Sequence, residues 1–183
     1  TRSDVEKIQN AVLNERLDKV RDVFLFQLYT GQRYSDILSF NKLDLNGDIW
    51  FLRVRKTKKT LQIPMIEPAK VILEKYNYEL PKISNQKQNK YLKELGEICG
   101  LNEIINVLEY SGNDEVKKEV PKFTQITTHT ARRTFVSLAS YEGLSQQVVK
   151  SVTGHTTDRM LEQYFKRDIT ETKKSLNLLF YKN

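Results

Sequence analysis

Cysteine, histidine, glycine and long apolar runs are all scarce in this chain of 183 residues. The one cysteine, Cys99, has no partner for an internal disulfide, lies in a helical pattern where a buried thiol is expected, and points to a reducing, cytoplasmic setting. One cysteine and two histidines, His129 and His155, do not make a structural zinc site. The acidic residues are interspersed with basic ones, as on solvated helices, and do not form the converging carboxylate set that a two-metal nuclease or transposase needs. The longest apolar stretch, Val23 to Tyr29, is far shorter than the roughly 20 residues that cross a bilayer. Polar first residues of alternating charge argue against a signal peptide. The first residue is Thr, so a fragment or a processed chain is expected.

What is present is enough for one core and a concentrated positive charge. Hydrophobic residues make up 39% of the chain, which suits a single compact domain. The formal net charge is +7, and its distribution is uneven. Residues 49–93 carry 11 basic and 3 acidic side chains, whereas the flanking parts are balanced or slightly acidic. A field of this kind favours polyanions, nucleic acid first among them. On composition alone a solvated basic surface remains an equal explanation, and an RNA-binding role would rest on this segment only.

Periodicity predicts mostly helix. Ser3-Asp4-Val5-Glu6 has the form of a capping box, and a second helix is expected from Leu17 to Thr30, ended by Gly31. A short helix at Ser35 to Phe40 should follow. Ile49 to Arg55 and Thr60 to Pro64 read as two strands around the basic turn Lys56 to Lys59, with Leu43 to Leu45 as a third strand before Asn46-Gly47. Further helices are expected over Glu67 to Tyr76, Ser84 to Gly100, Thr128 to Gly143, Ser145 to Gly154, Thr157 to Tyr164 and Ile169 to Leu179. The polar stretch Tyr110 to Gln125 reads as a loop. The expected fold class is mainly α with a small three-stranded antiparallel β-sheet.

A set of residues in fixed order is harder to read as background. Arg33 follows the glycine-ended second helix, Lys56 sits at the tip of the basic hairpin, and His129 precedes Arg132 by three residues at a helix start, where free N–H groups favour an anion. Gly154-His155 is followed nine residues later by Tyr164. Singly these could be a surface arginine, a solvated lysine and a core tyrosine. Together, Thr30-Gly31-Gln32-Arg33 with Asp36, Lys56-Thr57 before Ile63-Pro64, His129-Thr130-Ala131-Arg132, and Gly154-His155 with Tyr164 resemble the boxes of the tyrosine recombinase (phage integrase) family. The resemblance covers nearly the whole chain, and the wording His-Thr-Ala-Arg-Arg-Thr-Phe looks most like integrases of Bacteroides-type mobile elements. Two positions depart from the pattern: Ala131 stands where a larger hydrophobic residue is usual, and Arg133 where a histidine is usual. Neither is expected to carry chemistry.

The resemblance implies a site-specific DNA recombinase that breaks and rejoins strands through a 3′-phosphotyrosyl bond at Tyr164. Arg33 and Arg132 would hold the non-bridging phosphate oxygens, since guanidinium forks suit that geometry. His129 would accept the tyrosine proton, His155 would hydrogen-bond the phosphate, and Lys56 would protonate the leaving 5′ oxygen. No metal and no nucleotide cofactor is implied, because the phosphotyrosyl link stores the bond energy. Arg53, Arg55, Lys58 and Lys59 are candidate DNA-backbone contacts. The implied partner is double-stranded DNA, held by a homo-tetramer, with no membrane and no small-molecule substrate. Residues 1–183 would be the catalytic domain, without the N-terminal core-binding domain of the family. The tail from 165 to 183 either packs on its own domain or docks in a neighbouring protomer. Competing readings are a type IB topoisomerase, which the Gly-His box and the short gap to Tyr164 argue against, and a non-cutting DNA-binding module. The latter would predict loss of active residues, yet all six positions are filled.

Overall fold

The computed structural model describes residues 1–54, 58–111, 114–155, 157, 159–162 and 164–165. The centre of the fold is α2 (Glu15–Thr30), which runs inside a layer formed by the short N-terminal α1 (Arg2–Gln9), α4 (Glu67–Lys75), α5 (Asn85–Ile98) and α6 (Thr128–Tyr141). From Val20 onward α2 is buried on nearly every side, including Val23, Phe24, Leu25, Phe26 and Leu28. A helix apolar all round is one that belongs in a core. Its one buried carboxylate, Asp22, is met by Arg21 at 3.0 Å, by Lys75 at 2.5 Å and by the Tyr76 hydroxyl at 2.9 Å. Buried charge is tolerated on those terms.

The caps explain where the helices begin and end. Asn14 accepts from the Leu17 N–H, and Gly31 closes α2 in the left-handed conformation (φ 66°). Ser84 starts α5 and Ser145 starts α7 (Gln146–Thr153), each accepting from the N–H three residues on. The first helix is capped by Thr1 with Asp4, two residues ahead of the Ser3 box expected from sequence. The short α3 (Tyr34–Ile37) ends before the expected Phe40.

Strands β1 (Leu45–Asn46), β2 (Ile49–Arg53) and β3 (Thr60–Pro64) form an antiparallel sheet in the order 1-2-3, with Trp50 opposite Ile63 and Arg53 opposite Thr60. Its buried face places Trp50 against Phe26 and Phe40, with ring centroids 6.2 and 5.2 Å away. The fold is thus mostly helical with a small three-stranded antiparallel sheet.

Two expectations fail. The third strand, expected at Leu43 to Leu45, begins only at Leu45, because Lys42–Asp44 forms a 3-10 turn whose Leu43 N–H donates to the Asn41 side chain. Tyr110 to Gln125 is no loop: β4 (Ile104–Ser111) and β5 (Asp114–Pro121) form a separate two-stranded hairpin, followed by a 3-10 turn at Lys122–Gln125. The hairpin pairs from Ile104 opposite Pro121 to Ser111 opposite Asp114. Its polar composition hid the alternation: Ile104, Leu108 and Val116 are all largely exposed. The last helix described, α8 (Arg159–Glu162), lies within the expected span. The helix expected at Ile169 to Leu179 lies outside the described residues.

Among the described residues no helix is long and apolar enough to cross a membrane.

Candidate active site

The site is assembled where α6 passes under the C-terminal ends of α2 and α7. Contact between α6 and α2 is close because of Gly31: a Cβ there would stand 2.7 Å from the Phe135 ring. The start of α6 is held from α5. The Thr128 N–H donates to Asn89 Oδ1 at 2.8 Å and the Thr128 hydroxyl to Asn85 Oδ1 at 3.0 Å. His129, the next residue, is exposed on the first turn, with Arg132 and Arg133 three and four residues on along the same side of the helix.

Arg132 is 2% exposed and turns inward. Its Nη1 donates to the Gly31 carbonyl at 2.9 Å, and its Nη2 to the Thr153 carbonyl at 2.8 Å. It thereby ties the ends of α2 and α7 to α6. Burial and the neighbouring Arg33 pull its pKa down to about 10, so it keeps its charge at neutral pH.

Arg33 is the N-cap residue of α3, and a buried glutamine anchors its segment. Gln32 Nε2 donates to the Thr30 carbonyl at 2.7 Å and to the Val152 carbonyl of α7 at 2.8 Å. Arg33 Nη1 lies 3.7 Å from Asp36 Oδ2, too far for a hydrogen bond, and both atoms are buried without a hydrogen-bond partner. Burial raises the Asp36 pKa, while Arg33 and Arg132 act to lower it. Asp36 is thus under the field of two guanidiniums, and Arg33 keeps an unused N–H donor. That arrangement fits an anion.

His155 follows Gly154, which ends α7 in the left-handed conformation (φ 67°) and leaves no room for a Cβ, 2.8 Å from Leu61. Leu61 belongs to β3, so the sheet is braced against the segment that carries His155. The Thr153 hydroxyl donates to the Val149 carbonyl at 2.6 Å and so meets His155 Nδ1, 2.7 Å away, as an acceptor. The other ring nitrogen, Nε2, lies 3.2 Å from Arg132 Nη2. Burial first, then Arg132, Arg33 and His129, push the His155 pKa down to about 4. The His129 pKa is also lowered, by desolvation and then by Arg132, Arg133 and Arg33. Both imidazoles are neutral at pH 7.

Tyr164 is brought to the same helix. Leu161 of α8 is fully buried among Val136, Ala139 and Val149, and Ser140 donates a hydrogen bond to the Tyr164 carbonyl. The Tyr164 hydroxyl accepts from Arg133 Nε at 3.1 Å. Arg133 is therefore a residue the sequence reading dismissed. The only signal for it was its place four residues after His129, on the site side of the helix.

Of the sequence-predicted residues, Arg33, His129, Arg132 and His155 are electrostatically coupled to one another, and Tyr164 joins them through Arg133. Lys56 and Arg55 lie outside the described residues. Arg53, Lys58 and Lys59 are exposed along the β2–β3 hairpin, and Lys58 adopts a left-handed backbone (φ 59°). Among the described residues no group of three or more His, Cys, Asp or Glu side chains could hold a metal ion.

The profile of the phage integrase family matches residues 1–171. The chain belongs to that family. A comparison with curated proteins finds no match. Solved structures of similar fold include the XerH site-specific recombinase bound to its difH substrate in a pre-cleavage complex (TM-score 0.66, 13% identity, covering 99% of this chain and 52% of that one). A lambda integrase dimer bound to a COC′ core site matches with TM-score 0.64 and 19% identity, over 91% of this chain and 58% of that one. The Tn1549 transposon integrase in complex with circular intermediate DNA matches with TM-score 0.61 and 16% identity, over 96% and 61%. At these identities the likeness is one of fold. The chain spans between about half and two thirds of the length of these solved chains.

Proposed function

We propose that residues 1–183 are the catalytic domain of a site-specific recombinase that breaks and rejoins double-stranded DNA through a 3′-phosphotyrosyl bond at Tyr164. The observation that carries this reading is the coupling of Arg33, Arg132 and His155, with Asp36 beside Arg33 and a tyrosine hydroxyl held by the residue next to Arg132.

In this reading the scissile phosphate enters beside Arg33 and Arg132, whose charge stabilises the oxygens that become more negative as the tyrosine attacks. His129, neutral at pH 7, accepts the phenolic proton. His155 donates to the same phosphate from Nε2–H, in the tautomer reached when the ring proton leaves Nδ1 to water and returns at Nε2, while the Thr153 hydroxyl turns to donate a hydrogen bond to Nδ1. Lys56 on the hairpin tip protonates the departing 5′ oxygen. Religation runs the same steps backwards. Arg53, Arg55, Lys58 and Lys59 track the DNA backbone.

A homo-tetramer on DNA is the working assembly, with an additional DNA-clamping domain outside this chain and the 165–183 tail as a docking segment between protomers. The wording of the second box supports an origin in a Bacteroides-type mobile element. The site of action is the nucleoid, within the cytoplasm.

The test is incubation with a nicked duplex that carries the element's own site, so that the cleaved strand diffuses away and the adduct accumulates. A covalent protein–DNA band, absent for Tyr164→Phe, is expected. Plasmid relaxation independent of any site would favour a topoisomerase, and tight binding without an adduct a non-cutting module.

A further inference from the structure

We infer that Arg133 is part of the catalytic machinery: its guanidinium holds the Tyr164 oxygen in place and stabilises that oxygen as its proton leaves. The inference rests on the reading of Tyr164 as nucleophile.

The geometry is specific. The Tyr164 segment is pinned at its backbone by Ser140 and behind it by Leu161, so rotation of the side chain is the main freedom left to the hydroxyl. The 3.1 Å contact with Arg133 Nε removes it. One turn of α6 separates Arg133 from His129, and the two are close enough for the guanidinium to lower the imidazole's proton affinity. Arg132 is spent on the carbonyls of Gly31 and Thr153, whereas Arg133 is exposed and reaches outward to the tyrosine.

The chemistry follows from what an arginine can do. A guanidinium has N–H donors and no acceptor, so it cannot be the base. It can donate to the phenolic oxygen, and that bond strengthens as the oxygen becomes anionic. In the forward step the hydroxyl proton passes to His129, an oxygen lone pair forms the bond to phosphorus, and the bond from phosphorus to the 5′ oxygen breaks, that oxygen taking a proton from the general acid. The tyrosine oxygen, now an ester, no longer carries the charge. On religation it leaves phosphorus as a phenolate facing the same guanidinium, so one contact serves both directions. The charged and titratable groups coupled to His129, the proton acceptor, are Arg132 and Arg133 from α6, Arg33 from the start of α3 and His155 after α7. Arg133 is the one whose hydrogen bond reaches the Tyr164 oxygen.

The experiment compares the wild-type protein, Arg133→Gln and Arg133→Lys on the nicked duplex at saturating DNA, with Tyr164→Phe as blank. Adduct formation rate, DNA affinity and melting temperature are each measured. Arg133→Gln should slow adduct formation by about 10- to 100-fold, the range for one charge-assisted hydrogen bond. Affinity and melting temperature should be unchanged, and Arg133→Lys should recover most of the rate. An unaltered rate with weakened affinity would make Arg133 a phosphate binder and overturn the inference. Equal losses in both variants with a lowered melting temperature would make it structural and also overturn it. If the wild-type protein forms no adduct, Tyr164 is not the nucleophile and both readings fall together.

Discussion

Each arginine at the site has a different task, set by what its guanidinium already touches. Arg132 is turned to two carbonyls and an imidazole, while Arg33 keeps a buried Nη1 with no hydrogen-bond partner. Arg33→Lys keeps the charge but loses the planar fork. It should slow adduct formation by roughly 10²- to 10³-fold with little change in DNA affinity, as read from single-turnover rates against a binding titration. His155 gives a separate expectation about pH. Its pKa in the folded chain is about 4, against an ordinary value of 6.5. Between those values the unfolded chain holds a proton that the folded chain refuses, so this contribution to stability is complete above pH 6.5 and is lost as pH falls. Denaturant midpoints at pH 7 and pH 5 should therefore differ. The difference should shrink in His155→Asn without disappearing, because the depressed His129 works in the same direction. An undiminished difference in that variant would mean that His155 is not the group responsible.

Among the elements, α7 and the β2–β3 hairpin are joined through Gly154, where Leu61 fills the space a side chain would need. Gly154→Ala meets two obstacles: the left-handed backbone, which costs an L-residue about 1–2 kcal/mol, and the overpacking against Leu61, about 1–3 kcal/mol. Trimming Leu61 to Ala in the same chain should relieve the second but not the first, beyond the cavity cost of the trim itself. A double-mutant cycle in denaturant midpoints should thus show favourable coupling, and strict additivity would mean that sheet and helix are not braced there. The hairpin itself was legible as two strands, because five-residue alternation and a basic turn are local signals. The β4–β5 hairpin was not, since β5 is mostly charged and even the apolar Ile104, Leu108 and Val116 are largely exposed, so only the pairing between the strands marks them.

For the whole molecule, the excess positive charge of residues 49–93 should govern how it meets DNA. Each phosphate neutralised on a duplex contributes about −0.9 to the slope of log affinity against log salt. Replacing Lys58 and Lys59 together by Ala should flatten that slope by up to about 1.8 if each contacts one phosphate. An unchanged slope would leave the two lysines as solvated charge. Cleavage should also survive excess EDTA, because the positive charge at the phosphate is supplied by Arg33 and Arg132. A requirement for added Mg²⁺ would contradict that source.

What the sequence determined alone is whatever depends on neighbours along the chain. Gly31 and Gly154 end helices where a left-handed residue is needed, Ser84 and Ser145 begin them, and His129 with Arg132 shares one helix face because three residues nearly complete a turn. The order of Arg33, Lys56, His129-Arg132, His155 and Tyr164 carried the resemblance to the family. The tertiary structure decided which atoms face which. It turned Arg132 inward to the carbonyls of Gly31 and Thr153, committed the Thr153 hydroxyl to a helix carbonyl and so to the Nδ1 side of His155, and gave the Tyr164 oxygen to Arg133. These contacts join residues from about twenty to a hundred positions apart, or depend on a single hydroxyl's direction. Local pattern holds no record of them, because side-chain direction at a site is settled only when the helices that carry it have packed.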